Sequence, residues 1–205
     1  MKRYAGIGEP NAYKRALELL RSGGVVVLPT DTLYGFHAAL TNVRAIERIR
    51  TLKGVSPDHR FVLLVADVVM AQQYVASFGC SSPDELERRW PSRLTVVVPA
   101  GSRCPSWIGG TVALRVPDLA VLRELIEALG EPVVSTSVNH TGEPPMDDAR
   151  DITKRFDVDL VVTGEGHLLH GGASTIVDLC GSAPHVVRQG DYVWAAASGD
   201  SNPSK

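Results

Sequence analysis

The sequence predicts an α/β (α+β) fold, because short apolar strand segments alternate with helix-like segments between residues 11 and 188. The 205 residues are 44% hydrophobic and 21% charged, with a formal net charge of -2. This composition fits one compact domain with a substantial core, and the near-neutral charge gives no global argument for nucleic acid. We expect a single domain over residues 1–193 and a disordered tail over 194–205, where the residues are small and polar.

The individual elements are predicted from apolar runs for strands and from 3.6-residue spacing for helices. The predicted helices cover residues 11–24, 42–54, 81–91, 118–131 and 147–155. The predicted strands cover residues 24–29, 61–66, 94–100, 112–117, 132–136, 159–163, 174–179 and 185–188.

Capping residues and stop signals support three of the helices. Asn11 is the cap candidate of the first helix, and Ser82 with Glu85 forms a capping-box pattern at the third. The second helix ends at Gly54. Its predicted core-facing stripe consists of Val43, Ile46 and Ile49.

Cysteine, histidine and hydropathy patterns predict a cytoplasmic protein with no membrane partner. Cys80, Cys104 and Cys180 are too few and too scattered for a disulfide framework, so we interpret them as small buried side chains. The six histidines show no metal-ligand spacing, and His167 with His170 is interpreted as a chance loop pair. We therefore expect no protein-bound metal. No segment reaches the roughly 18 to 20 uninterrupted apolar residues of a membrane span.

Three segments place polar side chains where an apolar strand ends: "LPTDTLYG", "VVSTSVNHTGEPP" and "GGASTIVDL". Such strand ends are common ligand sites, because they present backbone and short polar groups on a rigid support. The first segment carries the hydroxyls of Thr30, Thr32 and Tyr34, and the second carries Ser137 and Asn139. A shared polar ligand is one interpretation; a stiff turn and loop capping are the alternatives.

Two cations stand at positions where the pattern predicts burial. Lys53 falls between Ile46 and Ile49 on the helical stripe, so its ammonium either meets a ligand anion or extends to solvent at the helix end. Arg115 lies inside an apolar strand. Its guanidinium suits the carboxylate of an amino acid, and a structural pair with an internal acid is the alternative.

These residues together resemble the YrdC/YciO family of threonylcarbamoyl-AMP synthases and their relatives. The motifs "PTDTLYG", "WPSRLT", "VALRVP", "STSVN", "STIVDL" and "VVRQG", with the lysine of "LKGVSPDHRF", occur in the family's order from about residue 13 to 190. The resemblance implies a YrdC-like twisted mixed sheet flanked by helices around a concave, positively charged cavity. It also implies condensation of L-threonine, bicarbonate and ATP into threonylcarbamoyl-adenylate, with ATP and its magnesium as substrate.

The resemblance further implies a role for each matching residue. Thr32, Tyr34 and Arg115 would bind threonine, with Thr30 nearby. Lys53, Ser137 and Asn139 would contact the nucleotide and carry catalysis, Ser174 would line the cavity, and Arg188 would close the nucleotide side. Implied partners are tRNA, double-stranded RNA and the proteins that transfer the threonylcarbamoyl group to adenosine 37 of tRNA.

The chain departs from the synthase pattern at several positions. Synthases of the family carry Lys-x-Arg where this chain has Lys53, Gly54 and Val55, so the second cation is absent and Arg60 is the candidate substitute. The run "PDHRF" followed by "VAD" is more similar to the YciO branch.

Two other functions stay open at this level. One is a YciO-like hydrolase acting on a nucleotide or an adenylate. The other is an RNA-binding module, because five cations crowd a span whose acids are Glu47 and Asp58. These cations are Arg44, Arg48, Arg50, Lys53 and Arg60.

Overall fold

A computed structural model of the chain describes residues 4–6, 11–163 and 172–195. Its helices are α1 (Ala12–Arg21), α2 (Val43–Lys53), α3 (Val68–Gln72), α4 (Pro83–Arg89), α5 (Ala120–Leu129) and α6 (Ala149–Arg155). A short 3-10 helix spans Ser106–Ile108. Within the described ranges, no helix has the length and apolar character needed to cross a bilayer.

One ten-stranded sheet forms the centre of the fold. Its strands are β1 (Tyr4–Gly6), β2 (Val26–Pro29), β3 (Tyr34–Ala39), β4 (Val62–Leu64), β5 (Leu94–Pro99), β6 (Thr111–Arg115), β7 (Val133–Ser137), β8 (Leu160–Thr163), β9 (Thr175–Asp178) and β10 (His185–Arg188). The strand order is β1-β8-β2-β3-β7-β4-β6-β5-β9-β10. Parallel pairs such as β4 with β6 alternate with antiparallel pairs such as β5 with β6, so the predicted mixed sheet is confirmed.

Helices cover the two faces of this sheet unequally. On one face, apolar residues of α2, α3, α4 and α6 pack onto strand residues from β2 to β9 in a single core cluster. On the other face, α1 and α5 pack against each other and against β2, β8 and the start of β7. Val62 and Leu64 of β4 also pack in or against this cluster. We call this second face the half-open face, because none of the described α-helices packs over its part from β6 to β9.

Side-chain alternation decides which residues the half-open face presents. Successive strand residues point to opposite faces. The pairs Ser135 with Val62, Val62 with Ala113 and Ala113 with Val97 therefore form one row across four strands. Leu64 and Arg115 form the next row of that face, and Thr95, two residues before Val97 on β5, lies on the same face.

The cap predictions hold in part. Gly54 ends α2 in the left-handed conformation, with φ of 66°, as expected. The start of that helix has a cap that was not predicted, since the side chain of Asn42 accepts from the Ala45 amide. Ser82 caps α4 by accepting from the Glu85 amide. Asn11 occupies the N-cap of α1, but its side chain makes no capping hydrogen bond.

Other sequence expectations are corrected by the structure. Val43 is 54% exposed, whereas Ile46 and Ile49 are buried, so the core stripe of α2 begins one turn later than predicted. β1, β3 and α3 are present without having been predicted. The last described residues include Trp194, which stacks 3.9 Å from the Arg89 guanidinium. His167, His170 and residues 196–205 of the predicted tail lie outside the described residues.

Candidate functional site

A cavity of about 460 Å³ lies on the part of the half-open face that α1 and α5 leave uncovered. All ten residues singled out from the sequence line it, although they come from widely separated segments. They are Thr30, Thr32, Tyr34, Lys53, Arg60, Arg115, Ser137, Asn139, Ser174 and Arg188. The fold thus brings the three predicted polar strand ends to one place.

In the loop after β2, the Thr30 side chain stabilises the turn, whereas the Thr32 side chain contacts Arg115 in the cavity. Thr30 Oγ1 accepts from the amides of Thr32 and Leu33, both at 3.1 Å, and lies 2.7 Å from the Leu33 carbonyl oxygen. This is the stiff turn considered as an alternative for the loop. Thr32 Oγ1 lies 2.9 Å from Thr30 Oγ1 and accepts from Arg115 Nη1 at 3.1 Å. Tyr34 is 2% exposed and belongs largely to the core.

Lys53 is buried at the end of α2, with 5% of its surface exposed, so the prediction of burial is confirmed and extension to solvent is excluded. Its ammonium donates to the Ser137 carbonyl oxygen at 2.7 Å, to Asn139 Oδ1 at 2.8 Å and to the Asn139 carbonyl oxygen at 3.3 Å. All three acceptors are uncharged. Burial lowers the pKa of Lys53 to about 8, because the ammonium loses water without gaining a carboxylate.

The loop after β7 is organised around the same ammonium. Ser137 Oγ donates to Asn139 Oδ1 at 2.7 Å, and Asn139 Nδ2 donates to the carbonyl oxygens of His140 and Glu143. The Thr141 amide donates to the Lys53 carbonyl oxygen at 2.9 Å. Loop capping, the alternative role, is therefore present. Lys53, Ser137 and Asn139 form one connected polar unit at this end of the cavity.

Arg115 is also buried, but it has a charged partner. Its Nη2 lies 2.5 Å from Asp31 Oδ2, with side chains 5% and 7% exposed. The contact is an ion pair; neither Asp31 oxygen reaches hydrogen-bond geometry with a described residue. Arg115 Nε donates to the Ser92 carbonyl oxygen at 3.2 Å. Desolvation lowers the pKa of Arg115, and the Asp31 charge acts in the opposite direction.

The internal pair considered for Arg115 is therefore present, and the guanidinium still lines the cavity. Asp31 was missed in the sequence. Its only signal was an acid within the turn "PTDT", directly after an apolar strand. The partner of that acid lies 84 positions away, beyond the reach of local patterns.

Ser174 and Arg188 form the opposite wall of the cavity. Arg188 donates to the Ser174 carbonyl oxygen from Nε at 3.0 Å and from Nη2 at 2.8 Å. Ser174 Oγ lies 2.8 Å from Thr95 Oγ1, a buried hydroxyl that was not predicted. Desolvation lowers the pKa of Arg188, and the like charge of Arg115 adds to that effect.

Arg60 stands exposed at the cavity mouth, where Nη1 donates to Thr111 Oγ1 at 2.6 Å. Arg50, by contrast, is buried and supports the loop before Arg60. It donates to the carbonyl oxygens of Ser56 and His59 at 3.2 and 2.9 Å. Val55 is half-buried against the core and does not line the cavity.

The charged side chains that line the cavity are of one sign. Lys53, Arg60, Arg115 and Arg188 line it, and the described lining residues include no aspartate or glutamate. A third unpredicted group, His37, is fully buried under the same face, with Nε2 3.2 Å from Ser135 Oγ. Burial lowers the pKa of His37 to about 4, so it adds no charge at neutral pH. The cavity is therefore built for an anionic, polar ligand.

The family model named Sua5_yciO_yrdC and described as "Telomere recombination" matches residues 18–190. The chain belongs to this family. A threonylcarbamoyl-AMP synthase of Nitrosococcus oceani is 34% identical to it over 154 residues, which are 73% of this chain and 83% of the synthase. The family suggested by the motifs is therefore confirmed.

Solved structures of the family share the fold. The crystal structure of E. coli YciO matches with a TM-score of 0.82 and 28% identity, covering 93% of this chain and 97% of YciO. The crystal structure of P. abyssi Sua5 complexed with L-threonine matches with a TM-score of 0.79 and 26% identity, covering 91% of this chain. This chain spans 56% of that Sua5 chain. The predicted YrdC-like fold is thus confirmed.

Proposed function

We propose that this protein is a threonylcarbamoyl-AMP synthase of the family. It would condense L-threonine, bicarbonate and ATP into L-threonylcarbamoyladenylate and release pyrophosphate. Partner proteins would then transfer the threonylcarbamoyl group to adenosine 37 of tRNA. The name of the Nitrosococcus oceani relative and the threonine bound to P. abyssi Sua5 support this choice of substrates.

The observation that carries the proposal is the convergence of four cations and no lining acid on one cavity. Each substrate is anionic or carries an anionic group: the threonine carboxylate, bicarbonate and the ATP phosphates. Charged hydrogen bonds to such groups are strong and well directed. Thr32, Thr95 and Ser174 line the same cavity, and their hydroxyls suit the polar amino acid.

The two ends of the cavity would bind different substrates. Thr32, Tyr34 and Arg115 would bind threonine, with Thr30 holding the turn that presents them. Lys53, Ser137 and Asn139 would contact the nucleotide, and Ser174 with Arg188 would close that side. Magnesium would arrive with ATP as part of the substrate and would shield the phosphate charge.

The chemistry requires no covalent nucleophile from the protein. The amine of threonine, bicarbonate and the α-phosphate must be held in reacting geometry, which removes an entropic barrier. Lys53 and Arg188 would stabilise the charge that develops on the phosphates. In the structure the three N–H groups of Lys53 face three protein acceptors, so contact with a phosphate would exchange at least one of them.

A second candidate is hydrolysis of a nucleotide or an adenylate, as first considered from the YciO-like motifs. The observation that favours it is Val55, an uncharged residue at the position of the second synthase cation and outside the cavity lining. Arg60 is the substitute cation in our proposal, since it reaches the mouth of the cavity from the next loop.

The arginine cluster that raised the RNA-binding alternative does not form one open patch. Arg48 donates to Asp159 at 2.6 Å, Arg50 turns inward to carbonyl oxygens, and Lys53 is buried. Direct contact with tRNA or double-stranded RNA is therefore not part of the proposed activity.

The deciding experiment incubates the purified protein with ATP, magnesium, bicarbonate and radiolabelled L-threonine. We expect pyrophosphate and a labelled adenylate, both dependent on threonine. Release of AMP regardless of threonine would support the hydrolase instead. Serine in place of threonine is the matched control for the side-chain methyl group.

A further inference from the structure

Two of the three cysteines, Cys80 and Cys180, lie beside each other although 100 positions of the sequence separate them. Cys180 follows the end of β9, and Cys80 precedes the start of α4. Cys180 is exposed and Cys80 is half-buried, so the expectation of small buried side chains is not met at this pair. The proposed activity uses neither thiol.

A backbone contact sets the distance between the two residues. The Cys80 amide donates to the Leu179 carbonyl oxygen at 2.9 Å, and that oxygen belongs to the peptide bond that leads into Cys180. Standard bond lengths then keep the two cysteine Cα atoms within about 7 Å of each other. Disulfides usually join Cα atoms that are roughly 4.4–6.8 Å apart. The fold therefore holds the pair at about the separation that a disulfide spans.

Gly79 permits this close approach of the two segments. Its φ is 65°, in the left-handed region that favours glycine, and a Cβ added there would lie 1.8 Å from the Leu179 carbonyl oxygen. A larger residue at position 79 would push the two segments apart. The residue after Gly79 and the residue after Leu179 are therefore kept as neighbours by the backbone itself.

The chemistry of the Cys180 thiol determines how fast it would react. Desolvation, the Asp178 carboxylate and, to a smaller extent, the Cys80 thiol raise the pKa of Cys180 to about 11. This thiol is protonated at neutral pH and reacts slowly, because the thiolate is the nucleophile. A sulfur with a high thiol pKa is also a poor leaving group, so a disulfide that contains it is exchanged slowly. These properties suit a durable cross-link better than a fast redox sensor.

We propose that Cys80 and Cys180 form a modification site, which hydrogen peroxide converts into an intramolecular disulfide. One sulfur attacks the peroxide, the O–O bond breaks, and a sulfenic acid and one water form. The second sulfur then attacks the sulfenic sulfur, which forms the S–S bond and releases a second water. Two thiols and one peroxide thus give one disulfide and two waters: the sulfurs lose two electrons, and the peroxide gains them.

The position of the cross-link predicts an effect on stability and none on substrate binding. Cys180 follows β9, whereas Ser174, in the cavity wall, precedes that strand, and neither cysteine lines the cavity. A bond across 100 positions restricts the unfolded chain, so oxidation should raise the Tm by about 10 °C. The affinity for ATP should be the same in the reduced and the oxidised protein.

Thiol counting and peptide mapping test the proposal. The fully reduced protein has three thiols. After treatment with hydrogen peroxide at low protein concentration it should retain one, that of Cys104. A tryptic digest should then contain the peptides of Cys80 and Cys180 joined by a disulfide. A digest in which these two peptides are not joined to each other, or in which Cys104 is the partner of either, would overturn the proposal.

Cys104→Ser is the matched control, because the Cys104 thiol donates to the Tyr74 carbonyl oxygen on another segment. This variant should form the same cross-link and show the same rise in Tm as the wild type. Cys80→Ser and Cys180→Ser should show neither. A peroxide-dependent rise in Tm that persists in Cys80→Ser would contradict the proposal. None of these measurements involves turnover, so their outcome is independent of the proposed function.

Discussion

The two ends of the cavity each contain a buried cation, and the protein compensates the burial of the two charges in different ways. Arg115 lies 2.5 Å from Asp31, so an opposite charge compensates its burial. Lys53 is equally buried, yet its three acceptors are two carbonyl oxygens and one amide oxygen. Removing a charge from water is costly unless a counter-charge or several hydrogen bonds replace the water.

This difference affects how each end would bind an anion. At Arg115, a ligand carboxylate would share the guanidinium with Asp31. The Asp31 charge weakens the net attraction between Arg115 and the ligand, but it holds the guanidinium in a fixed orientation. At Lys53, an anion would supply the counter-charge that the fold leaves out, so the free energy of binding there should be larger. The pKa of Lys53 is lowered to about 8 because no such counter-charge offsets its burial.

The largest expected effect is at the end without a counter-charge. Lys53→Ala should weaken ATP binding by about 100-fold, because a buried charge at a binding surface contributes several kcal/mol. Calorimetry with ATP and magnesium measures this. The control is Lys14→Ala, which removes an exposed lysine from α1. Unchanged ATP affinity in folded Lys53→Ala would remove Lys53 from the nucleotide site.

The next effect is at the compensated end. Asp31→Asn keeps the side-chain shape but removes the charge that orients Arg115, so the guanidinium is held less well for the carboxylate and we expect the KM for threonine to rise about 10-fold. The kcat and the KM for ATP should change little. Asp58→Asn, at an exposed site, is the matched control. Equal rises in the KM values for threonine and ATP would mean that Asp31 does not act through the threonine end.

A smaller effect concerns pH. In the proposed site protonated Lys53 would bind the phosphates, so ATP affinity should be nearly constant below about pH 7 and fall as pH rises through the pKa of the free protein, about 8. Between pH 7.0 and 8.5 the fall should be about fourfold. Lys53→Arg, which stays charged throughout, should abolish this dependence. A wild-type affinity that does not change over this range would contradict the assignment.

The same pKa has an opposite consequence for stability. The unfolded chain keeps its Lys53 proton up to about pH 10.5, whereas the folded chain loses it near pH 8. Between these values the unfolded state binds more protons, so the Lys53 contribution to the free energy of unfolding rises with pH. Denaturant titrations of wild type and Lys53→Met would separate this contribution from binding.

The smallest effect tests the second cation of the synthase pattern, which this chain lacks at Val55. Val55→Arg adds a guanidinium two residues after Lys53, and we expect ATP affinity to rise about threefold, as for one partly exposed charge pair. Val55→Leu controls for side-chain size. A threefold rise in Val55→Leu as well would attribute the effect to packing.

Residues of the candidate site could be predicted from the sequence where a local pattern, such as a strand end or helical spacing, identifies them. Pro29 and Gly35 mark the first strand exit, and helical spacing placed Lys53 on a buried stripe. Asp31, Thr95 and His37 were missed because each is defined by a partner far along the chain. β3 was missed because "YGFHAA" contains a glycine, a histidine and two alanines, and only its position between β2 and β7 makes it a strand.

By itself, the sequence determined the alternation of strands and helices, the polar strand ends and the family, because these depend on the order and spacing of residues along the chain. Only the tertiary structure decided that α1 and α5 cover part of one sheet face, that Asp31 compensates Arg115, and that no described residue supplies a counter-charge to Lys53. Those features depend on distances between residues that the chain separates by tens of positions, and packing of the whole sheet sets those distances.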